Sequence, residues 1–315
     1  MSDDDQTPSP AGQDGWPALP VEEWADTRDT LHLWTQIVGM LRLALTPSVN
    51  HWWHVPLYVG ARGLTTSLMP YRRIGVEVAF DLTAHELAVL TTDGRSRRMR
   101  LEPRSVADFS AEFRTHLADL GIDAPVARMP VELADPIPFA EDETHAAYDR
   151  DAVHRFWTSL VSASRVLGAF RGEYRGKASP VHFFWGAFDL ATTRFSGRAA
   201  PPHPGGVPHC PDWVMLEAYG EEVSSCGYWP GGSPEGTFYA YAYPEPQGYR
   251  EQVVDPATAR FDEALGEFVL PYADVRAAAD PDAHLLGFLR STHDAAAATG
   301  HWPEPASRPV RGPRP

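Results

Sequence analysis

The segment Trp34-Thr35-Gln36-Ile37-Val38-Gly39-Met40-Leu41-Arg42 returns in the second half of the chain as Trp157-Thr158-Ser159-Leu160-Val161-Ser162-Ala163-Ser164-Arg165, with four identities, one Ile/Leu exchange and no gap. A duplication restricts the fold more than local propensity does, because the unit one copy forms must be stable beside a second copy of itself. Other marks recur in the same order. His54 precedes Thr65-Thr66 as His182 precedes Thr192-Thr193. Each half then reaches a proline, at Leu101-Glu102-Pro103 and at Leu270-Pro271, before a closing helix that carries Arg114-Thr115-His116 or Arg290-Ser291-Thr292-His293.

Periodicity fills in the units. Leu31, Trp34, Ile37, Val38, Leu41 and Leu45 recur at three and four residues, an amphipathic helix that Thr46-Pro47 ends. Trp52 to Val59, Leu64 to Met69, Val76 to Phe80, Glu86 to Leu90 and Arg95 to Leu101 read as strands, with Asp93-Gly94 as a hairpin turn. Ser105 caps a helix through Val106, Phe109, Phe113 and Leu117 that stops at Gly121, and Val126 to Leu133 reads as a further strand. The second half repeats the order with a helix from Asp149 to Tyr174, strands at His182, Thr192 to Ser196, Ser224 to Trp229, Thr237 to Tyr243 and Glu267 to Leu270, and a helix from Asp282 to Ala298. Arg198 to Trp213, with five prolines and Gly205-Gly206, is an exposed loop expected to cover a pocket mouth.

Helix, antiparallel strands and helix, taken twice, exclude alternating βαβ units. They point to an α+β fold of two pseudo-symmetric repeats fused into one globular unit, each half of helix-grip or TATA-binding-protein-like form. The expected divisions are an unstructured tail over 1–15, a first repeat over 16–134, and an acidic linker over 135–148 whose Glu141, Asp142 and Glu143 are solvated. A second repeat then covers 149–298 and a Pro/Arg-rich tail covers 299–315.

The quoted stretches, with His32 to Gly39, His51 to Val59, Ala61 to Ser67, Pro180 to Leu190, Thr193 to Arg198 and Phe238 to Pro244, resemble a bacterial family catalogued as domain of unknown function 5996. The likeness runs from Trp16 to the last helix and implies no activity, cofactor or catalytic residue. High Ala, Arg, Pro and Asp with scarce Lys also fits a GC-rich bacterial genome.

At 315 residues, 43% hydrophobic and 22% charged, the chain is globular. A net charge of -15 and a pI near 5.2 argue against nucleic acid or an anionic membrane as partner. No apolar run spans a bilayer and the acidic start is no signal peptide, so a cytoplasmic protein is expected. Cys210 and Cys226 read as free thiols.

On a strand from Trp52 to Val59, His54 and Tyr58 share a face opposite the apolar Trp53, Val55, Leu57 and Val59. His182 and Phe184 likewise stand opposite Val181 and Phe183. These positions nominate an aromatic pocket between the repeats, with His54, His182, Tyr58 and Asp189 as catalytic candidates. His54 and His182 are also candidate ligands for a divalent transition metal, although no closed metal spacing is present. His32 and Gln36, four apart on one helix face, Arg62 and Arg194 as anion clamps, and Trp52 and Phe184 as aromatic walls are candidates for substrate binding. No nucleophile-elbow, dinucleotide or P-loop motif occurs. The expectation is an enzyme that uses acid/base or metal-assisted chemistry on a small-molecule ligand; the competing class is a non-catalytic ligand-binding or interaction module.

Overall fold

The structure is a computed structural model that describes residues 15–232 and 234–303. It is α+β, with two antiparallel sheets and six helices among the described residues. Helix α1 (Val21–Leu45) is buried along most of its length and stops where Thr46, ahead of Pro47, turns extended. The first strand does not follow directly: His51 and Trp52 first form a 3-10 turn with Asn50.

The first sheet is a meander of β1 (Tyr58–Gly60), β2 (Gly63–Thr65), β4 (Ile74–Asp81), β5 (Glu86–Thr91) and β6 (Ser96–Arg100), with β3 (Met69–Tyr71) folded onto β4. Helix α2 (Val106–Asp119) follows, capped by Ser105, whose side chain accepts from Asp108 N. Helix α3 (Arg150–Glu173) opens the second half under an Asp149 cap. The second sheet runs β7 (His182–Phe184), β8 (Asp189–Ala199), β9 (Glu221–Trp229), β10 (Thr237–Tyr243), β12 (Glu267–Pro271), with β11 (Arg260–Asp262) on the outer edge. Helices α4 (Asp212–Ala218), α5 (Tyr272–Ala277) and α6 (Pro281–Thr299) complete it.

Strand alternation sends one face of each sheet into the helices. In the first sheet Leu64, Val76, Val78, Phe80, Leu87, Val89 and Met99 are buried; in the second, Leu190, Cys226, Tyr228, Phe238 and Ala240 are. The sheets meet at a single antiparallel bridge, where Leu57 and Phe183 exchange both backbone hydrogen bonds at 2.9 Å.

Four expectations change. Trp52 to Val59 is not one strand: His51 and Trp52 adopt φ of 55° and 59°, Pro56 lacks an N–H, and pairing starts only at Leu57, whose bridge to Phe183 precedes β1. Val126 to Leu133 forms no strand; the Pro130 ring and the positive φ of Glu132 (60°) break it. Asp142 in the acidic linker is buried, accepting from Thr144 N, His145 N and His145 Nδ1. Of the expected tails, 1–14 and 304–315 lie outside the described residues, while Thr299 ends α6 and the Trp302 ring lies 5.5 Å from His293. Helices α4 and α5 and strand β11 had no counterpart in the periodicity, because each is too short to show one.

Candidate functional site

The outer face of the second sheet gathers polar side chains. Its strands place Asp189, Ala191 and Thr193 of β8, Ser225 and Gly227 of β9, and Tyr239 and Tyr241 of β10 side by side, in the registers Ala191↔Gly227↔Tyr239 and Thr193↔Ser225↔Tyr241. Ala191 and Gly227 make a low floor: a side chain at Gly227 would meet the Tyr239 hydroxyl at 2.5 Å. Tyr239 leans across that floor and donates its hydroxyl to Asp189 Oδ2. Beside it Tyr241 shares a 2.7 Å hydrogen bond with Tyr219, the residue after α4, and the Thr193 and Ser225 hydroxyls meet at 2.9 Å.

Two irregular segments wall this floor into a basin. The Pro-rich stretch after β8 lies over the tyrosines, with Pro201 O accepting from the Tyr243 hydroxyl and the His203 ring stacked 4.6 Å from Tyr219. The 126–139 stretch brings in Glu132, whose N–H donates to Pro208 O and whose carboxyl lies directly over Gly186, where any side chain would collide with it. Helix α1 holds that corner: Gln36 binds Val131 with both ends of its amide (3.0 and 2.9 Å), and His32 donates from Nε2 to Gly186 O (2.8 Å). His32 and Gln36 thus serve as positioning groups for the wall, and burial lowers the His32 pKa to about 4, leaving it neutral.

The acids here titrate near neutrality. Burial pushes Asp189 up to about 6, against the opposing hydrogen bond from Tyr239. Burial and then the Asp189 charge push Glu132 up to about 7; water still reaches this exposed side chain, which moderates the push. Glu267, next in register beyond Tyr241, is pushed up to about 7 by burial and then by Asp189. Burial also raises the Tyr239 and Tyr241 phenols well above their usual range. Carboxyls raised by desolvation and by the neighbouring Asp189 charge are a recognised mark of candidate acid–base groups.

The other nominated residues fall elsewhere. His182, on β7, is fully buried with neither ring nitrogen bonded, boxed by Trp53, Tyr58 and Phe184 at 6.4, 5.5 and 5.6 Å. Burial and then the Arg42 charge lower its pKa to about 3. It shares the outer face with Asp189, since Phe184 pairs with Asp189 and His182 with Ala191. His54 sits in the turn after Trp52, where Val49 N–H donates to its Nδ1 (3.1 Å) and its ring stacks on Trp52 at 5.3 Å. The two histidines therefore have separate surroundings, and among the described residues no group of three or more His, Cys, Asp or Glu side chains is placed to hold a metal ion. Arg62 is exposed and paired with Asp81 at 2.5 Å. Arg194 points the other way, under the helices, donating to Phe170 O with its guanidinium 3.4 Å from the Phe170 ring centre.

Glu132, Glu267 and Tyr239 escaped the sequence reading. The alternation Tyr239, Tyr241, Tyr243 was the available signal for a polar-tipped face; nothing local marks Glu132. A family model described as a family of unknown function (DUF5996) matches residues 16–308. No curated protein and no solved structure matches the chain.

Proposed function

The chain belongs to this family of unknown function, DUF5996, and from that premise we propose that it is an enzyme performing acid–base chemistry on a small molecule held in the basin of the second sheet. The observation that carries the reading is the Asp189 carboxyl, hydrogen-bonded by Tyr239 above a floor of Ala191 and Gly227, with the Glu132 carboxyl alongside. At neutral pH Asp189 is mostly ionised and acts as the base. Glu132, raised by burial and by the Asp189 charge, acts as the acid; environments that push two carboxyls apart assign the two roles. His182, Tyr58 and Phe184 form the aromatic end of the same face, and His32 and Gln36 hold the Glu132 wall. Metal assistance through His54 and His182 is the less supported form of the proposal, because among the described residues no group of three or more donor side chains includes either ring.

Titrating the carboxyl carbons by NMR tests the reading without a substrate. We expect Asp189 near 6 and Glu132 near 7, with each shifting when the other is neutralised. An Asp189 that titrates independently near the ordinary value of about 4 would sink the proposal.

The reading also treats the sheets as counterparts of one duplicated unit. Outward from the Leu57–Phe183 bridge the strands run β1-β2-β4-β5-β6 on one side and β7-β8-β9-β10-β12 on the other. Each long helix also reaches the other half's hairpin: His32 of α1 binds Gly186, and Trp157 of α3 donates to Gly60 O at 3.2 Å. The alternative, an interaction module, is favoured by the exposed Val49, Trp213 and Leu216.

A further inference from the structure

Beside α4 lies a groove of about 410 Å³ lined by Val49, Asn50, Trp52, His54, Trp213 and Glu217. We propose that it is a binding site for an organic cation, held against the indoles of Trp52 and Trp213 with Glu217 as counter-charge. The two indoles are 5.2 Å apart and inclined at 48°, forming adjoining walls. Trp213 is 59% exposed on a helix none of whose residues is buried, so packing does not account for an indole there. Trp52, by contrast, is fixed. Its Nε1 donates to Val214 O at 2.9 Å, and its left-handed backbone follows another left-handed residue, His51.

That turn is locked from below as well. His51 N–H donates to Glu217 Oε1 at 3.1 Å, His51 Nδ1 donates to Ala218 O at 3.0 Å, and Lys177, the chain's single lysine, donates to His51 Nε2 at 2.7 Å. The Lys177 charge is met by Glu221 at 2.5 Å. Glu217 forms no ion pair among the described residues, and burial lowers the His54 pKa, leaving that ring neutral. The one uncompensated charge in the groove is therefore negative, beside two π-faces that attract cations. A neutral or anionic ligand would leave Glu217 unanswered.

The test is titration calorimetry, with indole N–H resonances followed in parallel, using choline, its neutral isostere 3,3-dimethylbutan-1-ol, and glucose at matched ionic strength. Choline should bind saturably in the millimolar range and move the Trp52 and Trp213 resonances, with the isostere roughly tenfold weaker. Glu217→Gln should weaken choline about tenfold, and Trp213→Ala should abolish the effect with the circular dichroism unchanged. The proposal is overturned if choline shows no saturation, if the isostere or glucose binds as well, or if both variants bind choline undiminished. Because Asp189 and Glu132 are untouched, these outcomes are independent of the basin chemistry.

Discussion

The two sheets are both antiparallel and six-stranded but differ in what lies on their outer faces. In the first, the β2–β4 connection is short and folds back as β3 on the same sheet, leaving Glu77, Ala79, Leu90 and Arg98 half-buried or exposed. In the second, the β8–β9 connection is long enough to cross the face, carry α4 and deliver Tyr219 onto Tyr241. Burial follows from the connection, not from the strands. Acids on the open face keep ordinary partners, as Glu77 does with the Thr65 hydroxyl at 2.7 Å, whereas those on the covered face are pushed toward neutral pKa values. The outer face of one sheet stays open, and that of the other is roofed by the β8–β9 connection.

The largest expected effect attacks the place where the halves interlock. Gly39 of α1 lies against the Trp185 indole, and a methyl there would stand 2.3 Å from Cδ2. Gly39→Ala should destabilise the fold by about 3 kcal/mol, the upper part of the range for overpacking, and lower the melting temperature by several degrees. A melt unchanged within a degree would show that the two halves pack independently of this contact.

Next come two substitutions on the covered face with opposite pH signatures. Asp189 is raised from 3.8 to about 6, so the fold holds its proton more tightly than the unfolded chain does; the associated stability is present below pH 4 and lost as pH rises through 6. Asp189→Asn, free of that loss, should exceed wild type by about 1–2 kcal/mol at pH 8 and converge with it near pH 4. His182 is lowered from 6.5 to about 3, so stability is present above 6.5 and lost as pH falls toward 3. His182→Phe also removes two unbonded buried nitrogens; it should gain about 1 kcal/mol at pH 8 and more at pH 5. Denaturant melts at pH 5 and 8 distinguish the two, and parallel pH responses would refute the assigned environments.

Smaller again is His54→Ala, which removes the acceptor of Val49 N–H and should cost about 1 kcal/mol at any pH from 7 to 8. On the open sheet, Arg62→Ala breaks only a surface pair with Asp81 and should leave the melting temperature within experimental scatter. A drop of several degrees there would mean the first sheet is not the inert partner in this comparison.

The matched tryptophans show how far a sequence repeat can be read. Trp34 is fully buried, stacked 4.7 Å from Phe109 and 5.5 Å from Tyr148, while Trp157 is half-buried and spends its indole N–H on Gly60 O. The same residue in a matched sequence segment meets different neighbours, because Trp34 lies mid-helix in α1 and Trp157 within the first third of α3.

The sequence by itself determined the helices α1, α2, α3 and α6, most strands, the α+β class and the family, because amphipathic periodicity and capping are local and survive without tertiary context. It also named Asp189 and His182 as candidates within one aromatic stretch, but the turn that pairs Phe184 with Asp189 and sets both on one face is a tertiary result. Only the tertiary structure decided that Asp189 joins Glu132, Tyr239 and Glu267 while His54 goes to a groove beside α4. Strand pairing brings Tyr239 and Glu267 to that face and a loop without periodicity brings Glu132, and the desolvation and nearby charge that raise a carboxyl's pKa exist only once distant segments close over it.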